Sequence, residues 1–367
     1  MKILVFDKYL GYQVGGAQNS LHALLKELKG DFELIGCNAQ KSFSAEKYKL
    51  SNWEVERVKI REFPKFPYLE YWFNRNRIKK FISSQKADLL ITQGICGSLA
   101  IEVFNGRSIY FIRDEYHFNQ VPIYYKGIKG FLKKIYILFQ WPFIKQSFID
   151  NTRAMKRADL VIANSKFMAR KLEELFKRSV EFVYPLMDLK RFLQIQTASL
   201  KERKYLTLIG SEVIKGRDVA ERIAAVMPDH DFMIVGREFQ SPIQKGNILY
   251  QPWSTDPLEI YKKSKIVLST TIIDSAIPRT GRIGPESNAL GIPCIGSRVN
   301  SVQDYLHDEF YVEDRNNINS WKEKILEIEK KLNQLPAYLK EKASEYELDG
   351  QVAKFKKIVK DKLGFNL

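Results

Sequence analysis

The fold of this chain is decided by residues 280–296, TGRIGPESNALGIPCIG, which predict a glycine-bearing loop, a short helix and a strand. Gly281 and Gly284 allow backbone amides to come close to a ligand, and Pro285 suits a first helical turn. The positive end of the helix then faces whatever lies in the loop, which favours a diphosphate. Glu286 lies one turn inside, where a carboxylate can accept two hydrogen bonds from a ribose diol. Together these features indicate a nucleotide-sugar site.

Outward from this stretch, short apolar runs alternate with helical or loop segments. In the first half they lie at residues 3–6, 32–36, 55–60, 89–92, 109–112 and 160–163, and in the second half at 205–209, 232–236, 248–251 and 266–269. Such alternation predicts parallel sheets that are covered by helices on both faces. Ligands of these sheets bind beyond the carboxyl ends of the strands, so we expect active residues just after the runs.

The central stretch resembles the donor-site signature of family-4 retaining glycosyltransferases (glycosyltransferases group 1). In that signature two glutamates eight residues apart flank a Gly-Arg pair and precede Ala-x-Gly-x-Pro. Glu286 matches the second glutamate and Gly281-Arg282 the pair, while Pro278 occupies the place of the first glutamate. The tail is matched by Ala289, Gly291 and Pro293, and further segments fall in the family's order at residues 15–18, 161–165 and 215–216.

The resemblance implies an α/β chain with a GT-B fold, in which two Rossmann-like, doubly wound domains leave an inter-domain cleft. It implies an acceptor-binding domain at residues 1–186, a nucleotide-sugar donor domain at 187–347, and a C-terminal helix at 348–367 that crosses back onto the N-terminal domain. The charged segment 201–204 predicts a linker, so the boundary belongs between Tyr184 and Lys204.

The family also implies roles for individual residues in the donor site. Lys215 and Arg282 would stabilise the departing diphosphate, while Glu286 would hold the ribose. Ser211 stands where relatives usually carry an arginine, and Arg279 and Arg282 are the cations expected to compensate. The donor-binding set is Gly15, Gly16, Ser211, Lys215, Arg279, Gly281, Arg282, Ile283 and Glu286. On the residues alone, a plain left-handed turn is the preferred interpretation of Gly15-Gly16, and a solvated loop lysine is the alternative for Lys215.

The segment Arg113-Asp114-Glu115-Tyr116-His117 directly follows a predicted strand. Relatives carry a His-Asp pair at this loop, so the histidine's role is either lost here or taken by His117. Asp114 would orient the acceptor hydroxyl or act as its base, or else form an ion pair with Arg113 or a lysine. A lone histidine is often structural, but its place after a strand end makes His117 a catalytic candidate with Asp114, Lys215 and Arg282.

Retaining transfer on this fold is generally viewed as front-face attack, with the leaving phosphate helping to take the acceptor proton. The enzyme then supplies electrostatic stabilisation and positioning without a covalent nucleophile. The sequence contains no Asp-x-Asp pair after a strand and no ligand cluster, so we expect metal-independent catalysis. No cofactor is implied, because the nucleotide sugar is a co-substrate.

The net charge of +16 is concentrated in the first half of the chain. Residues 1–190 carry 32 Lys and Arg against 19 Asp and Glu, and the remainder carries 27 against 24. A basic field of this kind attracts anionic partners, although it also serves solubility. It favours a glycan or lipid-linked acceptor, of the kind used in cell-surface polysaccharide or glycoconjugate biosynthesis.

Two segments of this basic half, residues 65–86 and 124–157, interleave aromatic and basic side chains. In the second, an apolar stripe falls on one helical face and consists of Ile128, Phe131, Leu132, Ile135, Leu138 and Phe139. Either the stripe packs on the domain's own sheet, which is the first interpretation, or it contacts an anionic membrane. Base stacking is a third interpretation, but no nucleic-acid-binding motif appears and we expect no nucleic-acid partner.

Cys37, Cys96 and Cys294 are isolated in apolar surroundings, which favours a reducing compartment. The N-terminal apolar run is too short for a signal peptide, and no stretch reaches the roughly 18 apolar residues of a spanning helix. We therefore expect a cytoplasmic protein, at the inner face of the cell membrane where it contacts lipid. Two rivals remain: a membrane-associated sugar-nucleotide-binding protein with a degenerate donor site, and a GT-B epimerase. The sequence does not distinguish UDP from GDP.

Overall fold

The computed structural model describes residues 1–12, 16–38, 53–63, 65–113, 127–195, 200–212, 215–254, 256–271, 281–298 and 300–367. These residues form two compact units. Unit 1 comprises Met1–Leu186 and Leu348–Leu367, and unit 2 comprises Met187–Ser275 and Gly281–Glu347.

Unit 1 is built on a parallel sheet whose described strands follow the order β3-β2-β1-β4-β5-β6-β7. The strands are β1 (Lys2–Phe6), β2 (Asp31–Cys37), β3 (Glu56–Val58), β4 (Leu89–Gln93), β5 (Arg107–Ile112), β6 (Leu160–Ala163) and β7 (Glu181–Phe182). The helices between them are α1 (Gly16–Glu27), α2 (Pro67–Ser83), α3 (Gly94–Val103), α4 (Gly127–Arg157) and α5 (Lys166–Phe176).

The two faces of this sheet carry separate apolar cores because successive strand residues point to opposite sides. Leu4 and Phe6 belong to one core, and Ile3 and Val5 belong to the other. All four side chains are fully buried, which explains why the strand appears in the sequence as a continuous apolar run. Helix α5 begins where the sequence predicts, since the Ser165 side chain accepts a hydrogen bond from the amide of Met168 at 3.0 Å.

The last helix of the chain, α12 (Leu348–Leu363), belongs to unit 1. Val352, Phe355 and Val359 are buried in the same core as Ile3 and Val5. The ring of Phe355 stacks on that of Phe111 in β5, with 5.7 Å between centroids. The C-terminal helix therefore crosses back onto the N-terminal sheet, as the resemblance implied.

Unit 2 repeats the plan, and its described strands follow the order β10-β11-β9-β8-β12-β13-β14. All pairs are parallel except β10–β11 at one edge. The strands are β8 (Tyr205–Ile209), β9 (Asp231–Gly236), β10 (Ile243–Lys245), β11 (Ile248–Pro252), β12 (Ser264–Ser269), β13 (Cys294–Ser297) and β14 (Tyr311–Val312). The helices are α6 (Lys190–Leu193), α7 (Arg217–Val226), α8 (Leu258–Tyr261), α9 (Ile283–Ala289), α10 (Ile318–Lys331) and α11 (Leu335–Ala343).

Two doubly wound parallel sheets confirm the predicted fold class. The strand predicted at residues 55–60 is shorter than expected and covers only Glu56–Val58. Three short strands, β7, β10 and β14, were not predicted, because two or three residues at a sheet edge leave no apolar run to detect.

The apolar stripe of α4 does not pack on the sheet, so the first interpretation of that stripe is wrong. Its six side chains are between 50% and 80% exposed. Apart from Gly130, the buried positions of α4 lie further along and include Gln140, Ile144 and Ser147. The second half of the helix holds it to unit 1, whereas the first half turns its apolar face to solvent.

Candidate functional site

The loop that precedes α7 carries Lys215 and Gly216 at the carboxyl end of β8. Gly216 has φ +79°, and a Cβ atom there would overlap the carbonyl group of Thr270, so only glycine fits. The hydroxyl of Thr270 lies 3.0 Å from the carbonyl oxygen of Lys215 and 2.9 Å from that of Gly216. Since Thr270 directly follows β12, it ties this loop to the end of the neighbouring strand.

Gly210 provides space for the lysine itself. It follows β8 with φ +106°, and a Cβ atom there would lie 3.0 Å from Cγ of Lys215. The stem of Lys215 therefore runs beside the end of β8, and its side chain is half-buried.

The start of α9 packs on the ring of Tyr305. A Cβ atom at Gly284 would overlap this ring, and Gly281 lies beside the Tyr305 hydroxyl. Tyr305 is buried and hydrogen-bonded to the side chain of Ser269, the last residue of β12. Gly284 is thus required for packing on Tyr305, which is a different reason from the ligand approach that the sequence suggested.

These contacts place the Lys215 loop and the start of α9 near the end of β12. Ser269 is the last residue of β12 and is bonded to Tyr305, and Thr270 follows it and holds the Lys215 loop. Strands β8, β12 and β13 are neighbours and parallel, so their carboxyl ends lie side by side. This is the edge at which ligands of doubly wound sheets bind.

Glu286 is held from two sides. Its Oε2 accepts a hydrogen bond of 3.0 Å from the hydroxyl of Tyr261, and its Oε1 accepts one of 3.0 Å from Nε of Arg282. The residue is 7% exposed, and burial raises the pKa of its carboxyl although Arg282 and Tyr261 oppose that shift. The carboxylate is therefore fixed in position at the first turn of α9. The Arg282 bond uses Nε, so the terminal nitrogens of the guanidinium lie outside that bond.

Ser211 occupies a buried position that leaves little room for a longer side chain. Its hydroxyl is hydrogen-bonded to Glu238, and a Cβ atom on the adjoining Gly236 would overlap it. Arg217 of α7 also reaches Glu238, at 3.4 Å. A positive charge therefore lies near Ser211, although it comes from the helix and not from the loop.

Unit 1 has a polar cluster at the carboxyl edge of its sheet, which the sequence analysis missed. Asp7 follows β1 directly, accepts a hydrogen bond of 2.9 Å from the side-chain amide of Gln93 at the end of β4, and is 3% exposed. Burial raises the pKa of Asp7, while burial lowers that of Arg113 to about 10 in spite of the attraction between the two groups. The strand-end rule would have found Asp7, had it been applied to the first strand.

The remaining predicted residues are distributed as follows. Gly16 begins α1 and is exposed, and Ile283 begins α9. Gly15, Asp114, His117, Pro278 and Arg279 lie outside the described residues. Within the described ranges, no set of three or more His, Cys, Asp or Glu side chains is grouped as metal ligands would be. None of the described helices has the length and apolar character that crossing a membrane requires.

The sequence profile of Glycosyltransferase Family 4 matches residues 14–191. Residues 14–191 belong to Glycosyltransferase Family 4. The match covers α1 to β7 and includes Arg113. The donor-site motif in the other half of the chain resembles the same family.

Solved glycosyltransferase structures resemble the chain over nearly its whole length. A glycosyltransferase from Rickettsia africae has a TM-score of 0.65 at 16% identity, over 99% of this chain and 98% of that one. Sucrose-phosphate synthase from Thermosynechococcus elongatus has a TM-score of 0.70 at 11% identity, over 98% of each chain. Anabaena HepE, solved with UDP and glucose, has a TM-score of 0.65 at 13% identity, over 98% of this chain and 100% of HepE.

At these identities the likeness shows a shared fold. No curated protein sequence matches the chain.

Proposed function

We propose that this glycosyltransferase moves a sugar from a UDP- or GDP-sugar to a glycan or lipid-linked acceptor, with retention of anomeric configuration. The observation that carries the proposal is the junction at the end of β12. There Thr270 holds the Lys215 loop, while Tyr305, bonded to Ser269, packs on the first turn of α9, which carries Glu286. A cation and a ribose-binding carboxylate on two loops of one sheet edge match the two ends of a nucleoside diphosphate.

The side chains of this edge fit the chemistry of a departing diphosphate. Lys215 supplies a compact positive charge at the loop before α7, and Arg282 supplies a second one at the start of α9. The bond between the sugar's anomeric carbon and the diphosphate breaks, a bond to the acceptor oxygen forms on the same face, and the acceptor proton passes to a phosphate oxygen. Positive charge at the phosphates lowers the energy of that transition state, so no covalent nucleophile is required.

The nucleoside is assigned to Glu286. Because Tyr261 and Arg282 each bind one of its oxygens, the carboxylate already has its orientation before a ribose arrives. Each carboxylate oxygen has two lone pairs, so each can still accept a hydroxyl of a ribose diol. Ligand binding therefore does not have to supply the free energy of ordering the Glu286 side chain.

The acceptor is assigned to unit 1. Asp114 and His117 remain the proposed groups for orienting or deprotonating the acceptor hydroxyl, and Arg113 directly before them belongs to the polar cluster with Asp7. The basic excess of this half of the chain supports an anionic or lipid-linked glycan, as in cell-surface polysaccharide or glycoconjugate synthesis. We propose that the reaction takes place in the cytoplasm, at the inner face of the membrane, without a metal ion or other cofactor.

The test is a thermal-shift screen with UDP, GDP and their sugars, followed by donor consumption with each ligand that stabilises the protein. A ligand that binds only the folded state raises its apparent stability by mass action. We expect one nucleotide class to raise Tm and Lys215→Ala to weaken its effect, whereas Lys204→Ala, a lysine in the linker of the same unit, leaves it unchanged. The anomeric configuration of the product, read by NMR, tests retention.

A second candidate is a sugar-nucleotide-binding protein without turnover. The observation that favours it is Ser211, which is buried against Gly236 and bonded to Glu238 where relatives usually carry an arginine. The same assays separate the two functions. A nucleotide sugar that raises Tm and is never hydrolysed or transferred would support this candidate, and consumption of the donor would exclude it.

A further inference from the structure

The first half of α4 presents an unusual concentration of exposed apolar side chains. Among the described residues, 14 large apolar side chains are exposed, and nine of them belong to α2 or α4. These nine form what we call the aromatic–basic surface: Trp72 and Phe73 of α2, and Ile128, Phe131, Leu132, Ile135, Leu138, Phe139 and Trp141 of α4. Single exposed apolar residues are common on proteins, whereas a contiguous group indicates an interaction site.

Ring contacts show that the two helices share this surface. The ring centroids of Trp72 and Phe143 are 5.5 Å apart. Those of Phe66, which lies just before α2, and Phe139 are 5.9 Å apart. The hydroxyl of Tyr136 donates a hydrogen bond of 2.6 Å to the carbonyl oxygen of Lys65. The first half of α4 is therefore attached to unit 1 along one side, and its apolar stripe is on the side that faces solvent.

The charges on these two helices are of one sign at the surface. Each helix contains a single acidic residue, Glu70 in α2 and Asp150 in α4. Both are buried and paired, Glu70 with Lys8 and Asp150 with Arg75 at 3.1 Å. The exposed charged side chains on α2 and α4 are consequently basic, and they include Arg77, Lys80, Lys134 and Lys145.

We infer that the aromatic–basic surface docks on an anionic lipid bilayer. The stripe on α4 enters the boundary between head groups and acyl chains, and Lys133, Lys134 and Lys145 contact lipid phosphates. Residues 128–141 span about 20 Å of helix, a length that lies in the plane of the interface and does not cross it. The aromatic rings of Trp72 and Trp141 suit the head-group level, where tryptophan is enriched.

The charge pattern favours lipid over a second copy of the chain. A symmetric dimer through this surface would bring the same lysines of both copies together without a carboxylate to pair them. Single-stranded nucleic acid would match the charge, but four of the six stripe residues are aliphatic and offer no ring on which a base can stack. Only a membrane provides both negative charge and an apolar layer along one helix.

This inference rests on the proposed action at a membrane but not on the transfer reaction itself. The experiment is co-sedimentation of the full chain with vesicles of phosphatidylcholine alone or mixed with phosphatidylglycerol. We expect association with the mixed vesicles, little with phosphatidylcholine alone, and release as salt rises. Equal binding to both vesicle types, or none to either, would overturn the inference.

Substitutions assign the binding to the helix. We expect Leu138→Ser with Phe131→Ser to lower the partition coefficient about tenfold or more, and Lys133→Glu with Lys134→Glu to lower it on mixed vesicles. Ile243→Ser, at an exposed aliphatic residue of β10 in unit 2, is the matched control and should change nothing. Because Phe131 and Leu138 are exposed, the Tm of the stripe variant should stay unchanged. If the stripe variant bound as well as the wild type, α4 would not be the docking element.

Two further measurements separate the alternatives. Sedimentation velocity without vesicles should show the same oligomeric state for the wild type and the stripe variant, and a dimer lost in the variant would assign the surface to a second copy instead. Donor consumption is measured without vesicles. A chain that binds vesicles but consumes no donor refutes the transferase while keeping this inference, and the reverse result refutes the inference alone.

Discussion

The hydroxyl of Tyr261 donates a hydrogen bond to Oε2 of Glu286 over 3.0 Å, in a part of unit 2 where both side chains are buried. Tyr261 ends α8 and Glu286 lies in the first turn of α9, so the bond joins the helices on either side of β12. A charged oxygen that is buried with a donor is stable, whereas the same oxygen without one carries a desolvation cost. Tyr261 is therefore a positioning residue for the proposed ribose-binding carboxylate.

The first prediction is that Tyr261→Phe weakens donor binding. The substitution keeps the ring and removes one hydrogen bond to a charged group, which costs about 1.5–3 kcal/mol. Part of this loss should appear as a lower Tm and part as a rise of about tenfold in the donor KM. Because Tyr261 does not touch the reacting atoms in this proposal, kcat should change less than KM.

The matched control for that variant is Tyr250→Phe. The Tyr250 hydroxyl donates a hydrogen bond of 2.9 Å to Glu221 of α7. The substitution therefore also removes a tyrosine–glutamate hydrogen bond in unit 2. It should lower stability without changing donor KM. Equal effects of both variants on KM would mean that Tyr261 acts only through general stability.

The second prediction concerns Gly216. Alanine there has to adopt φ +79° and to displace Thr270, so we expect Gly216→Ala to lower the free energy of unfolding by about 2–4 kcal/mol. Gly246→Ala is the control, since Gly246 has φ +57° with no atom within 4 Å of the added Cβ, and it should cost only about 1 kcal/mol. Urea titration measures both. Similar values for the two variants would show that the Thr270 contact does not constrain the loop.

The contrast between Gly216 and Gly284 shows how far the sequence goes. Both glycines stand in motifs that predict a loop followed by a helix, and the structure has the helices α7 and α9. The motif does not reveal that Gly284 packs on Tyr305, because Tyr305 is twenty-one residues further along and becomes a neighbour only through the sheet order. Local pattern predicts the elements, whereas the reason for a particular residue depends on tertiary contacts.

The α4 stripe and Asp7 show two further limits. Helical spacing identifies which residues of α4 share a face. The spacing is the same whether that face packs on a sheet or is exposed to solvent, so it does not distinguish the two. Asp7 has no motif around it. It belongs to a polar cluster only because Gln93, at the end of β4, and Arg113, just after β5, lie beside it. The parallel-sheet fold was predictable because its buried strands are continuous apolar runs.

The third prediction is a pH dependence of stability that originates at His22. Its Nε2 accepts a hydrogen bond from the amide of Gly11 at 3.2 Å, and burial, with the charge of Lys26, lowers its pKa from 6.5 to about 4. Between these values the unfolded chain takes up a proton that the folded chain does not. Stability is therefore lost as pH falls through this window, by about 2 kcal/mol at pH 5.

The measurement is urea unfolding of the wild type and His22→Gln at pH 7.5 and at pH 5. Glutamine retains an acceptor and does not titrate in this range. The variant should lose less stability than the wild type on acidification. An equal loss in both proteins would assign the pH dependence to other groups.

The fourth prediction is that chelation with EDTA leaves turnover unchanged. In the proposed mechanism, side chains of unit 2 supply the positive charge at the diphosphate, and Lys215 and Arg282 are the described members. Turnover before and after EDTA, with Mg²⁺ or Mn²⁺ added back, measures this directly. Loss of activity that either ion restores would contradict the metal-independent mechanism.

The fifth prediction is that Arg282 has two separable roles. It orients Glu286 through Nε, and its charge stabilises the leaving diphosphate in the proposed mechanism. Arg282→Ala should raise donor KM and also lower kcat by about tenfold or more, since a charge aimed at the transition state is lost. Arg282→Lys keeps the positive charge but lacks Nε and the planar fork of the guanidinium, so it should recover kcat more than KM.

Arg279→Ala, measured beside these variants, tests whether the second arginine of this loop shares the role of stabilising the leaving diphosphate. If Arg279→Ala and Arg282→Ala both retained full turnover, this loop would not compensate for the serine at position 211. The charge would then have to come from elsewhere, and Arg217, which is bonded to the same Glu238 as Ser211, would be tested next.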